Sequence, residues 1–358
     1  MKIGIITFLH NHNYGSLLQA YALEQVLGDM GHEAVHLDYQ PDRAEKLRNL
    51  LLSGNSPKLI LDGLHKKSIE HEAPEAAEKA RLLDAFAREK LHVTVRCKNQ
   101  KELRAASRPF DCLLAGSDQI WSPVWLNPAY FLSFDRGAGA KKKVAYACSL
   151  GVASLPSRKK AGRIRKLTEP FSAVSLREAE GARVLETITG KAYPVMPDPV
   201  VLPTLDAWRT FAAGHGQEAE GKTLVYLIGH RPEYMQVLEE QKNTGLLVLP
   251  ASPESVKSGY PIMQDVSVEG FVGAMLHARR LITDSFHGLQ MALLLGVPVT
   301  LIRRDADDSP LSKNSRIDQL LRTAGCEGKT EIMPDEQILS VLQLEREKGL
   351  GFLRASLS

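Results

Sequence analysis

Four short polar stretches, each following an apolar run, hold residue types able to do acid, base or anion-binding chemistry. The first is His10-Asn11-His12-Asn13-Tyr14-Gly15. It lacks the GxGxxG spacing of a dinucleotide loop, and Asn13 equally suits the N-cap of a following helix. The second, Gly116-Ser117-Asp118-Gln119-Ile120-Trp121, places a carboxylate directly after a buried strand. There it can receive a hydroxyl proton or orient a sugar, with a turn-forming Asp as the plain alternative. The third, Ser175-Leu176-Arg177-Glu178, offers at a strand exit the planar fork that matches carboxylate or phosphate oxygens, or else a simple ion pair. The fourth, Thr283-Asp284-Ser285-Phe286-His287-Gly288-Leu289, is the most specific. Asp284 or Ser285 can cap a helix whose first N–H groups face an anion, His287 lies in that first turn, and Gly288 lets a ligand come close.

The elements that must position these stretches alternate between strand and helix. Ile3 to Phe8 reads as a buried strand, Tyr14 to Met30 as a helix apolar around most of its circumference, and Glu33 to Leu37 as a second strand. Further strands are expected at Asp111–Ala115, Val144–Cys148 and Ala173–Ser175, with a basic helix at about Arg158 to Lys166. In the second half, strands at Leu224–Ile228, Leu246–Leu249, Arg280–Thr283 and Val299–Ile302 alternate with helices at Pro232–Lys242, Val268–Ala278 and Phe286–Leu295. Helices near Asn314–Ala324 and Asp335–Lys348 complete the chain. This rhythm predicts an α/β protein of two Rossmann-like lobes, with ligands gathered at the C-terminal ends of parallel strands in a cleft between the lobes.

The expected organisation is an N-terminal domain over 1–192, a linker over 193–203 rich in Pro, a C-terminal domain over 204–334 and a C-terminal helix over 335–358. Within the first domain, about 43–104 reads as a helical insertion, including a short amphipathic piece at Leu59–Leu64 and a helix at Ala73–Leu91.

A length of 358 residues suits two domains, and a net charge of +3 leaves no global footprint for nucleic acid. Cys97, Cys112, Cys148 and Cys326 form no CxxC pair and no zinc spacing, so they read as small buried hydrophobes. No Asp/His cluster suggests a metal. No apolar run is long enough to cross a bilayer and the start is strand-like, which predicts a cytoplasmic protein. The basic stretch Arg158–Lys166 suits either a solvated helix face or the inner face of a membrane.

In combination and in order, five stretches resemble the polysaccharide pyruvyl transferase family. They are Asn13-Tyr14-Gly15-Ser16-Leu17-Leu18-Gln19-Ala20-Tyr21, Gly116 to Trp121, Ser175 to Glu178, Thr283 to Gly288 and Asn314-Ser315-Arg316-Ile317. The resemblance spans residues 13 to 317. It implies a GT-B-like arrangement of the lobes and transfer of pyruvate from phosphoenolpyruvate to sugar hydroxyls. The product would be a cyclic ketal on a cell-surface polysaccharide precursor, lipid-linked where the acceptor sits at a membrane. Phosphoenolpyruvate is then the donor substrate and no cofactor is implied.

Ketal formation needs a proton on the donor's methylene carbon, and among the matching residues His287 is the best donor of one. A helix N-terminus disfavours imidazolium, but a bound phosphate and carboxylate outweigh it, so His287 is expected to become acidic mainly with donor bound. Many family members carry an Arg two positions before this histidine; here that position is Ser285. Arg177 matches the family's other donor-binding Arg, and Arg316 is the candidate for the compensating charge, with Ser285, Phe286 and Gly288 completing the donor side. On the acceptor side Asp118 is the candidate base, Asn13 and Gln119 bind hydroxyls, and Ser149 lines the same region. Trp121 and Trp125 are either sugar-stacking or buried. Two competing readings are a GT-B glycosyltransferase using a nucleotide sugar and a non-catalytic carbohydrate-binding homologue.

Overall fold

Described in the structure, a computed structural model, are residues 1–53, 74–137, 141–152, 157–229, 231, 233–251, 258–304 and 314–358. They fall into two compact units. The first holds the described residues within Met1–Leu64, Ala87–Leu202 and Arg346–Ser358, and the second those within His65–Phe86 and Pro203–Glu345.

Short, almost wholly apolar runs make the first sheet: β1 (Lys2–Ile6), β2 (Glu33–His36), β3 (Cys112–Ala115), β4 (Lys142–Cys148) and β5 (Ala173–Leu176). All pair in parallel, in the order β2-β1-β3-β4-β5, with Ile3 opposite both Ala34 and Cys112. Ile3, Ile5, Leu113, Leu114 and Val144 are fully buried, as strands covered on both faces must be. In this stretch of the chain the helices are α1 (Tyr14–Asp29), α2 (Arg43–Ser53), α3 (Pro74–Glu89), α4 (Gln100–Ala106), α5 (Arg158–Thr168) and α6 (Ala179–Thr189), of which α3 lies mostly in the second unit. As its sequence implies, α1 is buried on nearly all sides, to the point that Gln19 and Glu24 are buried with Leu17, Leu18 and Leu23. On α5 the apolar Ile164 and Leu167 face inward while Arg158, Lys159, Arg165 and Lys166 are exposed.

The second sheet comprises β6 (Thr223–Tyr226), β7 (Leu246–Val248), β8 (Arg280–Thr283), β9 (Val299–Leu301) and β10 (Glu331–Ile332). Its order is β10-β9-β8-β6-β7, and only the edge pair β9–β10 is antiparallel. Its helices are α7 (Leu205–Phe211), α8 (Glu233–Glu240), α9 (Val268–His277), α10 (Phe286–Leu295), α11 (Asn314–Thr323) and α12 (Glu336–Leu357). The chain is therefore α/β, with a largely parallel sheet in each unit.

Three expectations about organisation need revision. The stretch 193–203 is built into the first unit: the Met196 amide donates to Leu176 O at 2.8 Å, Val195 bridges Leu176, and Asp198 is buried against Arg177. Its prolines stop a helix but do not free the chain. The C-terminal helix expected over 335–358 is α12, but it is not set apart from the domains: its Arg346 onward, to Ser358, belongs to the first unit. Leu350, Leu353 and Leu357 extend its apolar spacing, and Gly349 packs closely where a Cβ would lie 2.5 Å from the Tyr146 hydroxyl and 2.7 Å from Leu202. The insertion over 43–104 is not one body, since α3 runs from the second unit into the first. Leu59–Leu64 lie outside the described residues.

All four cysteines are buried and unpaired with one another, and burial pushes the Cys97 and Cys112 thiols up to about 11. Among the described residues no helix is long and apolar enough to cross a membrane.

Candidate functional site

Where a parallel sheet reverses its strand order, the loops after the two neighbouring strands diverge and leave room for a ligand. In the first sheet that point lies between β1 and β3, and in the second between β6 and β8. Three of the four polar stretches found in the sequence fall on these loops, while Ser175 to Glu178 lies at the exit of the edge strand β5.

In the first unit, Asn13 caps α1 by accepting from the Gly15 amide at 2.9 Å, so its capping role is realised. The loops after β1 and β3 are tied together by Gln19. Its Nε2 donates to Thr7 Oγ1 at 2.9 Å and its Oε1 accepts from the Ser117 amide at 2.8 Å. Gly116 has a φ of 142°, and a Cβ there would lie 2.1 Å from Tyr146 O. Asp118 follows with a φ of 72°, a left-handed conformation that costs free energy and recurs at functional positions.

The Asp118 carboxylate accepts from Ser16 Oγ at 2.6 Å and from the Gln119 amide at 2.7 Å, and Ser16 itself accepts from Asn11 Nδ2 at 2.7 Å. Arg177 Nη2 stands 3.6 Å from Asp118 Oδ1, while Nη1 donates to Asp198 Oδ2 at 2.6 Å. Burial opposes the Arg177 charge, yet Asp198, Asp118 and Glu178 together hold the guanidinium more firmly protonated than an ordinary arginine. The structure thus joins Asn13, Asp118, Gln119 and Arg177 at one rim. Ser149 sits beside them, but its hydroxyl donates to buried Glu178 at 3.0 Å, a carboxylate that also accepts from the Leu150 amide. Trp121 is core: it is fully buried, stacks on Phe131 at 4.6 Å and donates to Tyr130 O. Trp125 is 54% exposed.

In the second unit, Ser285 is the N-cap of α10, its Oγ accepting from the Gly288 amide at 3.2 Å. Asp284 does something else. Fully buried, it accepts from the Ile228 amide at 2.8 Å, the Gly229 amide at 2.7 Å and the Tyr234 hydroxyl at 2.7 Å, which pins the loop after β6 to the loop after β8. Burial and the Asp284 charge push the Tyr234 hydroxyl up, so it stays a donor. Arg304, just past β9, approaches the same carboxylate with Nε at 3.3 Å and donates from Nη2 to Asp284 O at 3.0 Å.

His287 occupies the first turn of α10, 7% exposed, with the Phe286 ring edge-on at 5.0 Å. The Arg316 guanidinium lies 5.6 Å from the centre of the same Phe286 ring. Arg316, distant in sequence, thus lies against the run Ser285 to Gly288 through the Phe286 ring. Gly288 is required by packing: a Cβ would lie 2.8 Å from Thr283 Oγ1 and 3.1 Å from Tyr226.

Sequence reasoning missed Ser16, Gln19, Asp198 and Arg304. Two had a readable signal. Gln19 is a polar residue set among the apolar Leu17, Leu18, Ala20 and Leu23 of its helix, and Arg304 stands at a strand exit just as Arg177 does. Ser16 and Asp198 become visible only through partners far along the chain.

An α/β protein with a polar rim at each of its two switch points is the class that this geometry defines. The sequence over residues 13–306 matches the model of the polysaccharide pyruvyl transferase family, and the chain belongs to that family of transferases. No curated protein matches the sequence. Among solved structures, UDP-GlcNAc 2-epimerase from Methanocaldococcus jannaschii is similar at 13% identity and a TM-score of 0.49, over 97% of this chain and 99% of that one. UDP-GlcNAc 2-epimerase from Neisseria meningitidis, bound to UDP-GlcNAc, gives 12% and 0.47 over 99% and 94%. Escherichia coli heptosyltransferase WaaC with ADP-2-deoxy-2-fluoro heptose gives 11% and 0.40 over 90% and 99%.

Proposed function

We propose that the chain transfers pyruvate from phosphoenolpyruvate to hydroxyls of a saccharide acceptor, forming a cyclic ketal. The observation that carries this reading is the second unit's switch point, where His287 stands in the first turn of a capped helix beside Phe286 and Arg316, with Arg304 at the neighbouring strand exit. A phosphate and a carboxylate on one small molecule suit such a place, because helix N–H groups and guanidinium forks both favour anions.

In this reading His287 gives its proton to the methylene carbon, and the positive charge at the adjacent carbon is met by a sugar hydroxyl. Ser285 and Gly288 shape the helix start, and Arg316 supplies the cation that Ser285 does not. The acceptor belongs to the first unit, with Asp118 as a base and Asn13 and Gln119 beside it. Arg177, fixed by Asp198, sets its charge 3.6 Å from Asp118, and a contact of Arg177 with the donor adds to that role. The exposed basic face of α5 suits an anionic membrane surface presenting a lipid-linked acceptor, on the cytoplasmic side.

The test is phosphate release from phosphoenolpyruvate in deuterated water with a panel of β-galactosides and N-acetylhexosamines. Wild type is expected to yield a ketal whose methyl group carries deuterium. His287→Ala should lose at least about 100-fold in rate with its fold retained. Phosphate release by His287→Ala at the wild-type rate would overturn the reading.

A further inference from the structure

The proposed reaction requires the loss of two hydroxyl protons. The first C–O bond forms at the donor's central carbon while the methylene carbon gains a proton from His287. The C–O bond to phosphate then breaks with its electron pair leaving on phosphate, and the second hydroxyl closes the ring. Of the two protons lost by the sugar, one replaces that delivered to carbon and the other leaves with phosphate. The two hydroxyls sit at different positions on the sugar, and Asp118, whose lone pairs already accept from Ser16 and the Gln119 amide, is one of the groups that can relay their protons to His287 and to phosphate.

A second candidate base stands on the same rim. His10, in the loop after β1, places Nε2 2.5 Å from Asp38 Oδ1, with side-chain exposures of 14% and 11%. Asp38 follows β2 and is held from several directions. Its amide donates to Thr94 Oγ1 at 3.1 Å, its carbonyl accepts from the Cys97 amide at 2.7 Å, and Arg96 Nε lies 3.4 Å from Oδ2. The stretch that supplies these groups runs beside the end of β2, where the His36 amide donates to His92 O at 2.7 Å. Burial pushes the Asp38 carboxyl up, but the hydrogen bond and charge of His10, with Arg96 behind them, more than offset this and hold it below the ordinary carboxylate range. An anchored carboxylate facing one imidazole nitrogen fixes the tautomer and stabilises the imidazolium that forms when the other nitrogen takes a proton. The next residue along the chain, Asn11, donates to Ser16, whose hydroxyl donates to Asp118, so the loop that carries His10 is tied to the first base.

We propose that His10, oriented by Asp38, is the second base of the reaction and removes through Nδ1 the hydroxyl proton that Asp118 does not. The inference rests on the pyruvyl-transfer reading. Asp38 acts through His10 and is a positioning residue.

The experiment measures kcat, KM and the pH profile of ketal formation for the full chain and for His10→Gln, Asp38→Asn and Asp38→Glu. His10→Gln is expected to lower kcat about 100-fold with KM for phosphoenolpyruvate within about twofold of wild type. Asp38→Asn should lower kcat with KM for phosphoenolpyruvate unchanged, since the imidazole loses the group that orients it, and Asp38→Glu should restore most of the rate. Thermal melting checks that each variant is folded, and Asp38→Asn, nearly isosteric, guards against collapse of the His10 variant. A kcat within about threefold of wild type for His10→Gln, or no recovery of kcat in Asp38→Glu over Asp38→Asn, overturns the assignment. If wild type itself releases no phosphate with any acceptor, the pyruvyl-transfer reading falls and the role of His10 with it. Normal wild-type turnover with unaffected variants sinks the second base alone.

Discussion

The Arg177 guanidinium donates from Nη1 to the Asp198 carboxylate at 2.6 Å, and both side chains are almost completely shielded from water. Removing one member of such a pair leaves the other charge buried without its compensation. Asp198→Ala is therefore expected to cost about 3–5 kcal/mol, read from urea unfolding. Asp118, 3.6 Å from the other terminal nitrogen, keeps part of the compensation and sets the lower end of that range. A loss under about 1 kcal/mol, the scale of an exposed pair, would mean that Arg177 relaxes into water instead.

Most of the architecture could be read from local pattern. The strand starting near Ile3, the helix from Tyr14 and the strand at Arg280–Thr283 all fall within a residue or two of expectation, because short apolar runs and one-sided spacing are properties of neighbouring residues. The loops that carry Asp118 and His287 were placed for the same reason: they follow such runs. What escaped was decided at long range. The prolines of 193–203 look the same whether a segment is loose or docked, and only Arg177 at the end of β5 makes Asp198 part of the core. Asp284 and Ser285 were interchangeable as caps on local grounds. The loop after β6, 55 residues away in sequence, takes Asp284 and leaves the cap to Ser285. His10 and Asp38 each look unremarkable until two parallel strands set their exits side by side.

Glu24, on a buried side of α1, answers a question about pH. It accepts from the His92 amide at 3.2 Å and from His92 Nδ1 at 2.8 Å, and it lies 3.3 Å from His36 Nε2. Burial raises its carboxyl, but the hydrogen bonds and charges of His36 and His92 outweigh this and hold it below its ordinary value of 4.5. A carboxyl depressed in the folded chain contributes its stability in full above the ordinary value and loses it as pH falls through the folded value. Glu24→Gln should thus be less stable than wild type near neutral pH, by about 1–3 kcal/mol. The gap should close as pH drops below the ordinary value of 4.5, which urea midpoints across that range will show. A gap that stays constant with pH would assign the loss to packing.

Phe286 stands between the two groups on which the donor reading depends, edge-on to His287 at 5.0 Å and 5.6 Å from the Arg316 guanidinium. A guanidinium over an aromatic face is attracted by about 0.5–2 kcal/mol, the more so when water is excluded, and Arg316 is buried. The ring therefore does two things at once: it fixes the direction of the Arg316 fork and limits the rotation of the His287 imidazole. Phe286→Leu keeps the apolar volume but removes the ring's negative face. If Arg316 meets the donor's charge, this change should weaken phosphoenolpyruvate binding by about 2- to 30-fold in calorimetry, the equivalent of the lost attraction. Arg316→Lys keeps the charge without the fork and should fall between Phe286→Leu and Arg316→Ala, whose loss is largest. Wild-type affinity in all three would remove Arg316 from the donor side and turn attention to Arg304, past the exit of β9, which donates to Asp284 O in the loop that carries His287.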